Sequence, residues 1–374
     1  MRSTYRLGLV GLSALALLAA GCSSGSSTSS GGTNWATVTN VSAGGGMAKL
    51  IAAAKKEGTL NVIALPPTWA NYGNVIKDFT AKYGIKVVSA NPEGSSQDEV
   101  DAVKSENGTS KAPDVLDVGM AVALVSTSLF APYKVSTWSS IPAAQKSPTG
   151  LWTQDYGGYM SIGYNSAKFG TITSVSQLLG SKFKNSVALN GNPTEANAAL
   201  NGVMMANLAE GGTASSIAKG VAFFHQLKQA GNFVPVQATN ATIKAGTTPV
   251  VINWDYLNTA SVVDQGASWK VFVPANATLA GYYAQAINKN APHPAAARLW
   301  EEFLYSQGAT GGQNLWLQGG ARPVEMTAMT SNKSIDASAA SSLPPITGTP
   351  VFLTATQATD AATYLEANWA KAIS

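Results

Sequence analysis

The sequence has few of the residues that cross-link proteins or carry acid–base and metal chemistry. Of 374 residues, one is cysteine, two are histidine, and charged residues make up only 12%. A single cysteine excludes an intrachain disulfide, so the fold must depend on its hydrophobic core. His225 lies in an apolar stretch and His293 lies between prolines, which leaves no histidine metal cluster or Ser-His-Asp set to propose. We therefore expect neither an enzyme nor a metal or cofactor site.

Further absences concern binding partners. The sequence contains no Gly-Lys-Ser/Thr phosphate loop and no Gly-x-Gly-x-x-Gly motif after a strand. Lysine and arginine are not clustered, and the formal net charge is only +4, so contact with nucleic acid is not expected. After residue 20, no apolar run approaches the about twenty residues that a membrane span requires.

The first residues have the layout of a secretory signal. Arg2 and Arg6 precede an apolar run from Leu7 to Ala20, which is too short to span a bilayer. A positive start, a short apolar run and small residues at its end are typical of a signal peptide. We predict a signal peptide over residues 1–21 and a mature chain that acts outside the cytoplasmic membrane.

The segment LAAGC at residues 18–22 resembles the lipobox of bacterial lipoproteins. The resemblance implies cleavage before Cys22 and acylation of that cysteine, which would anchor the protein to the outer face of the cell membrane. Ser, Gly and Thr dominate the residues that follow, and this composition behaves as a flexible tether. We predict a lipid-anchored tether over residues 22–44.

Strands and helices alternate along the rest of the chain. The first predicted helices are at residues 47–56, 68–83 and 95–106, and the first strands are at 60–65, 85–88 and 115–118. This βαβαβ order indicates a parallel sheet flanked by helices. Near Gly150, two aromatic strand runs surround Gly157-Gly158 in a hairpin or bulge, and a second α/β series follows. The fold class is therefore α/β.

Several short segments resemble extracellular solute-binding proteins of ABC importers, in the branch with polyamine, ferric-ion and phosphonate receptors. The segments are LIAAAKKEG at 50–58, FTAKYGIKV at 79–87, APDVLDVG at 112–119, SIGYN at 161–165, APHPAAARLW at 291–300 and GARPV at 320–324. Their order and spacing extend over most of the chain. The resemblance implies a two-lobe periplasmic-binding-protein-like fold with crossover strands and a ligand cleft between the lobes, which close around the ligand.

The resemblance also suggests domain boundaries. We place the crossovers near residues 156–162 and 275–285. The predicted parts are lobe 1 over 45–157, lobe 2 over 158–274, a crossover and return to lobe 1 over 275–326, and the C-terminal helices of lobe 2 over 327–374.

Candidate ligand-binding residues follow from position, because ligands of open α/β sheets bind beyond the carboxyl ends of the strands. They are Trp69, Tyr72, Tyr156, Asn192, Glu195, Trp254, Asp255, Tyr282 and Tyr283. Some have a second interpretation. Trp69 and Tyr72 share a helix face with core residues, and Glu195 is expected in a helix first turn, where a carboxylate is favoured in any case. Only one of two successive strand residues, Tyr282 and Tyr283, can face the cleft.

Asp255 is the leading candidate, because an acid between Trp254 and Tyr256 could hold an amine. Its alternative role is to cap a helix that begins near Asn258. The candidates are aromatic and acidic, a composition that favours an organic cation such as a polyamine. An anion would require arginine and helix N-termini, and only Arg322 lies near a plausible rim.

We therefore predict a monomeric receptor that captures a small solute and delivers it to an ABC permease in the cytoplasmic membrane. A ferric-ion receptor that uses Tyr282 and Tyr283 and a phosphonate receptor stay open as alternatives within the same family. A ligand-sensing surface lipoprotein without a transporter is the alternative outside it.

Overall fold

The computed structural model describes residues 32–261 and 265–374. Cys22 and the predicted signal peptide therefore lie outside the described residues. Within the described part of the chain, no helix is long and apolar enough to cross a membrane. Residues Asn34–Ser374 form one compact unit.

The strands are β1 (Thr59–Ile63), β2 (Lys86–Ala90), β3 (Val115–Gly119), β4 (Phe130–Ala131), β5 (Thr153–Asn165), β6 (Val187–Leu189), β7 (Val250–Trp254), β8 (Trp269–Phe272), β9 (Leu279–Asn288), β10 (Arg322–Pro323) and β11 (Val351–Phe352). The α-helices before β7 are α1 (Met47–Glu57), α2 (Tyr72–Tyr83), α3 (Ser96–Ser105), α4 (Met120–Val125), α5 (Ser166–Phe169), α6 (Asn197–Ala209), α7 (Ala218–Gln229) and α8 (Asn240–Lys244). Those after β7 are α9 (Asp255–Ala260), α10 (Pro294–Leu304), α11 (Gly312–Gln318), α12 (Met326–Ser331), α13 (Ala337–Ser341) and α14 (Ala355–Ile373).

Local sequence signals account for several helix ends. Ser95 caps α3 in a capping box with Asp98, in which each side chain accepts a hydrogen bond from the other's main-chain N–H. Helix α2 ends at Gly84, whose φ of 70° lies in the left-handed region that glycine tolerates. Helix α10 starts with Pro294 at its first turn. These ends are therefore encoded within a few residues of where they occur.

Strand β5 is common to two halves of one sheet. Residues 153–159 of β5 pair with β9, which also pairs with β3, β4 and β11. Residues 160–165 of β5 pair with β7 and β8, and β7 pairs with β6. We refer to β3, β4, β9, β10 and β11 as the β9 half and to β6, β7 and β8 as the β7 half. The chain therefore passes between the halves inside one continuous strand.

The structure corrects one detail of the predicted sheet and decides between two predicted alternatives for another. Strands β1 and β2 pair in parallel as predicted, but β3 pairs antiparallel with β9, so the predicted parallel βαβαβ sheet is wrong for its third strand. The two aromatic runs around Gly157-Gly158 are one strand, whose register shifts between Gln154 and Gly157 as a bulge rather than a hairpin. Periodicity along the chain identifies a strand but contains no information on a partner about 170 residues away.

Candidate functional site

A cavity of about 140 Å³ lies where the loops after β1 and β2 meet the loop after β6. We call it the cleft cavity. Its walls include Pro66 and Trp69 from the first loop, Glu93 from the second and Asn190 from the third. A neighbouring cavity of about 370 Å³ shares these four residues and extends towards α8 and α9. The two cavities thus form one recess at the carboxyl ends of the strands, where ligands of such sheets bind.

A close approach of two elements forms one wall of the cleft cavity. A side-chain Cβ at Gly119, the last residue of β3, would lie 2.2 Å from the Cβ of Asn197. Only glycine therefore allows the first residue of α6 to come so near to β3. This contact brings the end of β3 and the start of α6 to the same cavity.

The charged side chains that line the cleft cavity are all carboxylates. They are Glu93, Asp98, Glu99, Asp117 and Glu195. Among the residues that the structure describes, no lysine, arginine or histidine lines this cavity or the neighbouring one. The recess is therefore suited to positive charge and unsuited to anions.

Asp117 has one oxygen engaged and one free. Its Oδ2 atom accepts hydrogen bonds from the hydroxyls of Tyr72, at 2.6 Å, and Tyr156, at 2.8 Å. Its Oδ1 atom is buried and has no hydrogen-bond partner among the described residues. Because a buried polar atom is normally hydrogen-bonded, this oxygen marks a position that a ligand could occupy.

The acids around Asp117 favour their neutral forms. Burial raises the pKa of Asp117 to about 6, although the hydroxyls of Tyr72 and Tyr156 lower it. The main-chain N–H of Asp117 donates to Oε2 of Glu99 at 2.8 Å. Burial and the charge of Asp117 raise the pKa of Glu99 well above its usual range, and they do the same for Asp155. Among the described residues, none of these three carboxyls has a basic hydrogen-bond partner.

Trp69 lines the cleft cavity, and contacts with Tyr156 and Tyr283 hold its side chain in place. Its indole N–H donates to the Tyr156 hydroxyl at 2.8 Å, and its ring meets that of Tyr283 edge-on at 5.8 Å. The loop that carries Trp69 contains three non-glycine residues with positive φ. They are Ala64 at 56°, Ala70 at 43° and Asn71 at 70°. Such strained backbone persists where the surrounding structure holds it, and it concentrates at functional sites.

The structure brings only some of the predicted site residues to the cavity. Trp69, Asn192, Glu195 and Tyr283 line it. Tyr72 and Tyr156 do not line the cavity, but their hydroxyls donate hydrogen bonds to Asp117, which does. The predicted alternation of the β9 tyrosines is present, because Tyr283 is buried at the cavity while Tyr282 stacks on Phe352 at 6.4 Å. Trp254 is buried and stacks on Tyr256 at 6.5 Å.

Asp255, the leading candidate for an amine contact, is not a free carboxylate in this structure. Its Oδ2 atom pairs with Nη1 of Arg322 at 2.7 Å. Its Oδ1 atom accepts the main-chain N–H groups of Tyr159, at 2.9 Å, and Tyr256, at 3.0 Å. Both oxygens are thus engaged, and α9 begins at Asp255 rather than near Asn258, so the alternative cap does not apply either. Arg322 is distant from Asp255 along the chain, so the local sequence around Asp255 does not reveal this ion pair.

The position of Glu195 differs from the prediction, and two further acids that line the cavity, Asp117 on β3 and Glu99 on α3, were not predicted. Glu195 precedes α6 by two positions and is exposed, so it is not in the first turn. Sequence reasoning missed Asp117 and Glu99 as site residues. The available signal was a charge inside the otherwise apolar run Val115–Gly119, because a carboxylate is rarely buried without a purpose or a partner.

Comparisons with known proteins agree with the predicted fold. The family model described as bacterial extracellular solute-binding protein matches residues 110–341. No curated protein matches the chain. The chain is similar to the periplasmic binding protein AfuA from Actinobacillus pleuropneumoniae with fructose-6-phosphate bound, at 18% identity and a TM-score of 0.65, over 84% of this chain and 98% of that one.

Two other solved structures are similar to the same extent. Iron-bound HitA from Pseudomonas aeruginosa has 19% identity and a TM-score of 0.62, over 83% of this chain and 99% of that one. A protein from Listeria monocytogenes described as a spermidine/putrescine ABC transporter has 11% identity and a TM-score of 0.61, over 84% and 98%. These likenesses confirm the predicted two-lobe α/β fold. The three described ligands differ, so the fold alone does not select one.

Proposed function

Because the chain belongs to the family of bacterial extracellular solute-binding proteins, we propose that it is an ABC importer receptor that captures a small organic cation, best represented by a polyamine. The observation that carries this proposal is the lining of the cleft cavity, where every charged side chain is a carboxylate. An aromatic face attracts a cation by about 0.5–2 kcal/mol, and Trp69 and Tyr283 supply such faces here. Carboxylates then complete an ammonium site through charge-assisted hydrogen bonds.

We further propose that the chain forms the two lobes of the receptor, with the β7 half in lobe 2 and the β9 half in lobe 1, except that β11 belongs to the C-terminal part of lobe 2. The residues assigned are 45–157 and 275–326 for lobe 1, and 158–274 and 327–374 for lobe 2. In support, β5 pairs with both halves, and the cleft cavity takes its walls from loops on both sides of it. Movement about β5 would open and close the recess around a solute, which the receptor would deliver to a membrane permease.

The ferric-ion and phosphonate alternatives have less support in this site. Tyr282 and Tyr283 point to different surroundings, so they do not form a tyrosine pair at the cavity. Within residues 32–261 and 265–374, no group of three His, Cys, Asp or Glu side chains could hold a metal ion. Among the described residues, the only charged side chains that a phosphonate would meet in the recess are carboxylates. The sensing lipoprotein alternative differs in having no permease, which a pull-down of the native membrane complex would test.

A ligand screen tests the proposed substrate class. We expect putrescine, spermidine or choline to raise the melting temperature of the secreted Cys22→Ser chain. Ligand at a hundred times its Kd adds about 2.7 kcal/mol to the free energy of unfolding. Ferric citrate, fructose-6-phosphate and a phosphonate are the comparison ligands, at equal ionic strength. Stabilisation by one of these, with none by the cations, would contradict the proposal.

Trp69→Ala should weaken cation binding about 2- to 30-fold, because it removes a cation–π contact of about 0.5–2 kcal/mol. Isothermal titration calorimetry with putrescine measures this change. Trp138→Ala is the matched control, since Trp138 packs near Lys134 and Lys146 and not at the cleft cavity. Equal losses in the two variants would indicate a general effect on the fold rather than a ligand contact.

We also propose that Cys22 anchors the mature protein through lipid, as the segment at 18–22 suggests. Cys22→Ser should abolish acylation and release the chain as a water-soluble protein, because Cys22 is the one cysteine of the sequence and the variant has none to acylate. Cell fractionation and mass spectrometry of the N-terminus measure the result. Ser23→Ala is the control and should remain in the membrane fraction. A Cys22→Ser chain that stays with washed membranes would contradict the anchor.

A further inference from the structure

Two of the acids that line the cleft cavity, Glu99 and Asp117, are buried, and burial of two carboxyls affects their protonation. We propose that Glu99 and Asp117 together hold a proton in the empty cavity and release it to solvent when an organic cation binds. Cation capture would then be coupled to proton release. This proposal rests on the proposed function and concerns the regulation of the same site.

The geometry places both carboxyls at the ligand position without a counter-ion. Glu99 is 1% exposed and Asp117 is 7% exposed, and both line the cleft cavity. Oε2 of Glu99 is held by the main-chain N–H of Asp117, and Oδ2 of Asp117 is held by two tyrosine hydroxyls. Oδ1 of Asp117 has no hydrogen-bond partner among the described residues. The cavity therefore presents a carboxyl oxygen that nothing else in the described chain uses.

Among the described residues, the ionisable groups that interact electrostatically with this pair are acids or phenols. They are Tyr72 on α2, Asp98 on α3, Asp155 and Tyr156 on β5, Tyr256 on α9, Tyr283 on β9, Glu301 on α10 and Tyr305 after it. No lysine, arginine or histidine from the described residues donates a hydrogen bond to either carboxyl. Two adjacent ionised carboxyls without a cation are unfavourable in a buried site, so one of them keeps its proton.

The direction of the pKa shifts agrees with this arrangement. Burial is the largest cause for both groups, and the charge of Asp117 is the next cause for Glu99. Asp117 accepts two tyrosine hydroxyls, which favour its ionised form, whereas Glu99 accepts one main-chain N–H and lies beside the charge of Asp117. Glu99 is therefore the group to which we assign the proton. A bound cation supplies the missing positive charge and favours the ionised form of both carboxyls.

The exchange step is balanced without any further reactant. The ligand enters with its positive charge, the O–H bond of the Glu99 carboxylic acid breaks, and the proton leaves to solvent. No covalent bond forms, and the ligand keeps its own protons. A primary amine resembles lysine, whose pKa is about 10.4, and therefore stays charged at neutral pH. Choline carries a charge that does not titrate, so any proton released on its binding comes from the protein.

Calorimetry in buffers of different ionisation enthalpy counts the protons released on binding of putrescine and of choline. We expect a release of up to one proton near neutral pH and an affinity that rises by up to about tenfold per pH unit where a full proton is released. Glu99→Gln cannot release this proton, so its proton count should fall towards zero and its affinity should lose the pH dependence. Glu366→Gln, on the exposed face of α14, is the matched control and should keep both.

The outcomes separate this inference from the proposed function. Cation binding by the parent protein without proton release would overturn the inference and leave the proposed function intact. Failure of every cation to bind would overturn both. Infrared difference spectra provide a second measurement in case Glu99→Gln does not fold. Adding putrescine to the parent protein should produce a negative carbonyl band in the difference spectrum, because one carboxylic acid loses its proton, and the absence of this band would also overturn the inference.

Discussion

Asp117→Asn should weaken the binding of an organic cation by about 30- to 4,000-fold. The variant keeps the size of the side chain and removes the negative charge, and truncating a buried hydrogen-bonded charge pair costs ~2–5 kcal/mol. The effect should be large because Asp117 combines deep burial with an oxygen that has no described partner. Titration calorimetry with putrescine, at a pH well above the Asp117 pKa of about 6, measures the change.

The stability of Asp117→Asn should change much less than its affinity. The amide oxygen of asparagine can still accept the hydroxyls of Tyr72 and Tyr156, which now donate to Oδ2. Asp360→Asn, an exposed position on α14, is the control for removal of one negative charge. If Asp117→Asn binds putrescine as tightly as the parent does, the ligand does not contact this carboxylate. The search would then move to Glu93 and Glu195 at the rim.

Arg322→Leu should lower the free energy of unfolding by about 3–5 kcal/mol, the usual cost of leaving one member of a buried ion pair alone. Asp255 is fully buried and the Arg322 side chain is 11% exposed, so solvent screens the pair only weakly. Guanidinium chloride denaturation at neutral pH measures the loss. Lys104→Leu breaks the exposed Lys104–Asp101 pair and should have little effect.

The decrease in the free energy of unfolding caused by Arg322→Leu should depend on pH. Burial raises the pKa of Asp255, while Arg322 is the largest influence that lowers it. Removing Arg322 raises this pKa further, so the folded variant binds a proton more readily than the unfolded chain does. The difference in stability between the parent protein and Arg322→Leu should therefore shrink as the pH falls and Asp255 becomes neutral. The double variant with Asp255→Asn should recover part of the stability, and a double variant less stable than Arg322→Leu would contradict the assignment.

Features of the fold that depend on neighbouring residues were accessible from the sequence. Helix α3 could be predicted from the serine that opens it, and strand β7 from the apolar run before Trp254. The α/β class and the two-lobe fold were also accessible, because the segments that resemble solute-binding proteins keep their order along the chain. These signals lie within one element or within its caps.

Features that depend on distant parts of the chain were not accessible. The antiparallel pairing of β3 with β9 joins Val115 to Ile287, and the ion pair of Asp255 joins it to Arg322. Neither contact alters the local pattern of polar and apolar residues. The sequence therefore suggested a free carboxylate at Asp255, where the structure has a neutralised one.

Some residues that line the cleft cavity were among the sequence candidates, and Asp117 was not. Trp69 and Tyr283 were accessible because they follow or lie on predicted strands. Asp117 was missed because periodicity assigns a fully buried strand to the core, and the binding residues were sought in loops after strand ends. An ionisable residue within a buried run contradicts the simple core interpretation, and this contradiction was the signal for a site.

The order of strands in the sheet also bears on when the chain can fold. Strand β3 at Val115–Gly119 and the first part of β5 both require β9 at Leu279–Asn288 as their partner. The sheet cannot close until most of the polypeptide has been synthesised, and pairings between distant segments form slowly. A chain with this topology leaves the edges of β3 and β5 unpaired until β9 is available, and unpaired strand edges are the sites at which chains associate wrongly. The same topology that forms the cleft cavity thus makes the early stages of folding the most prone to aggregation.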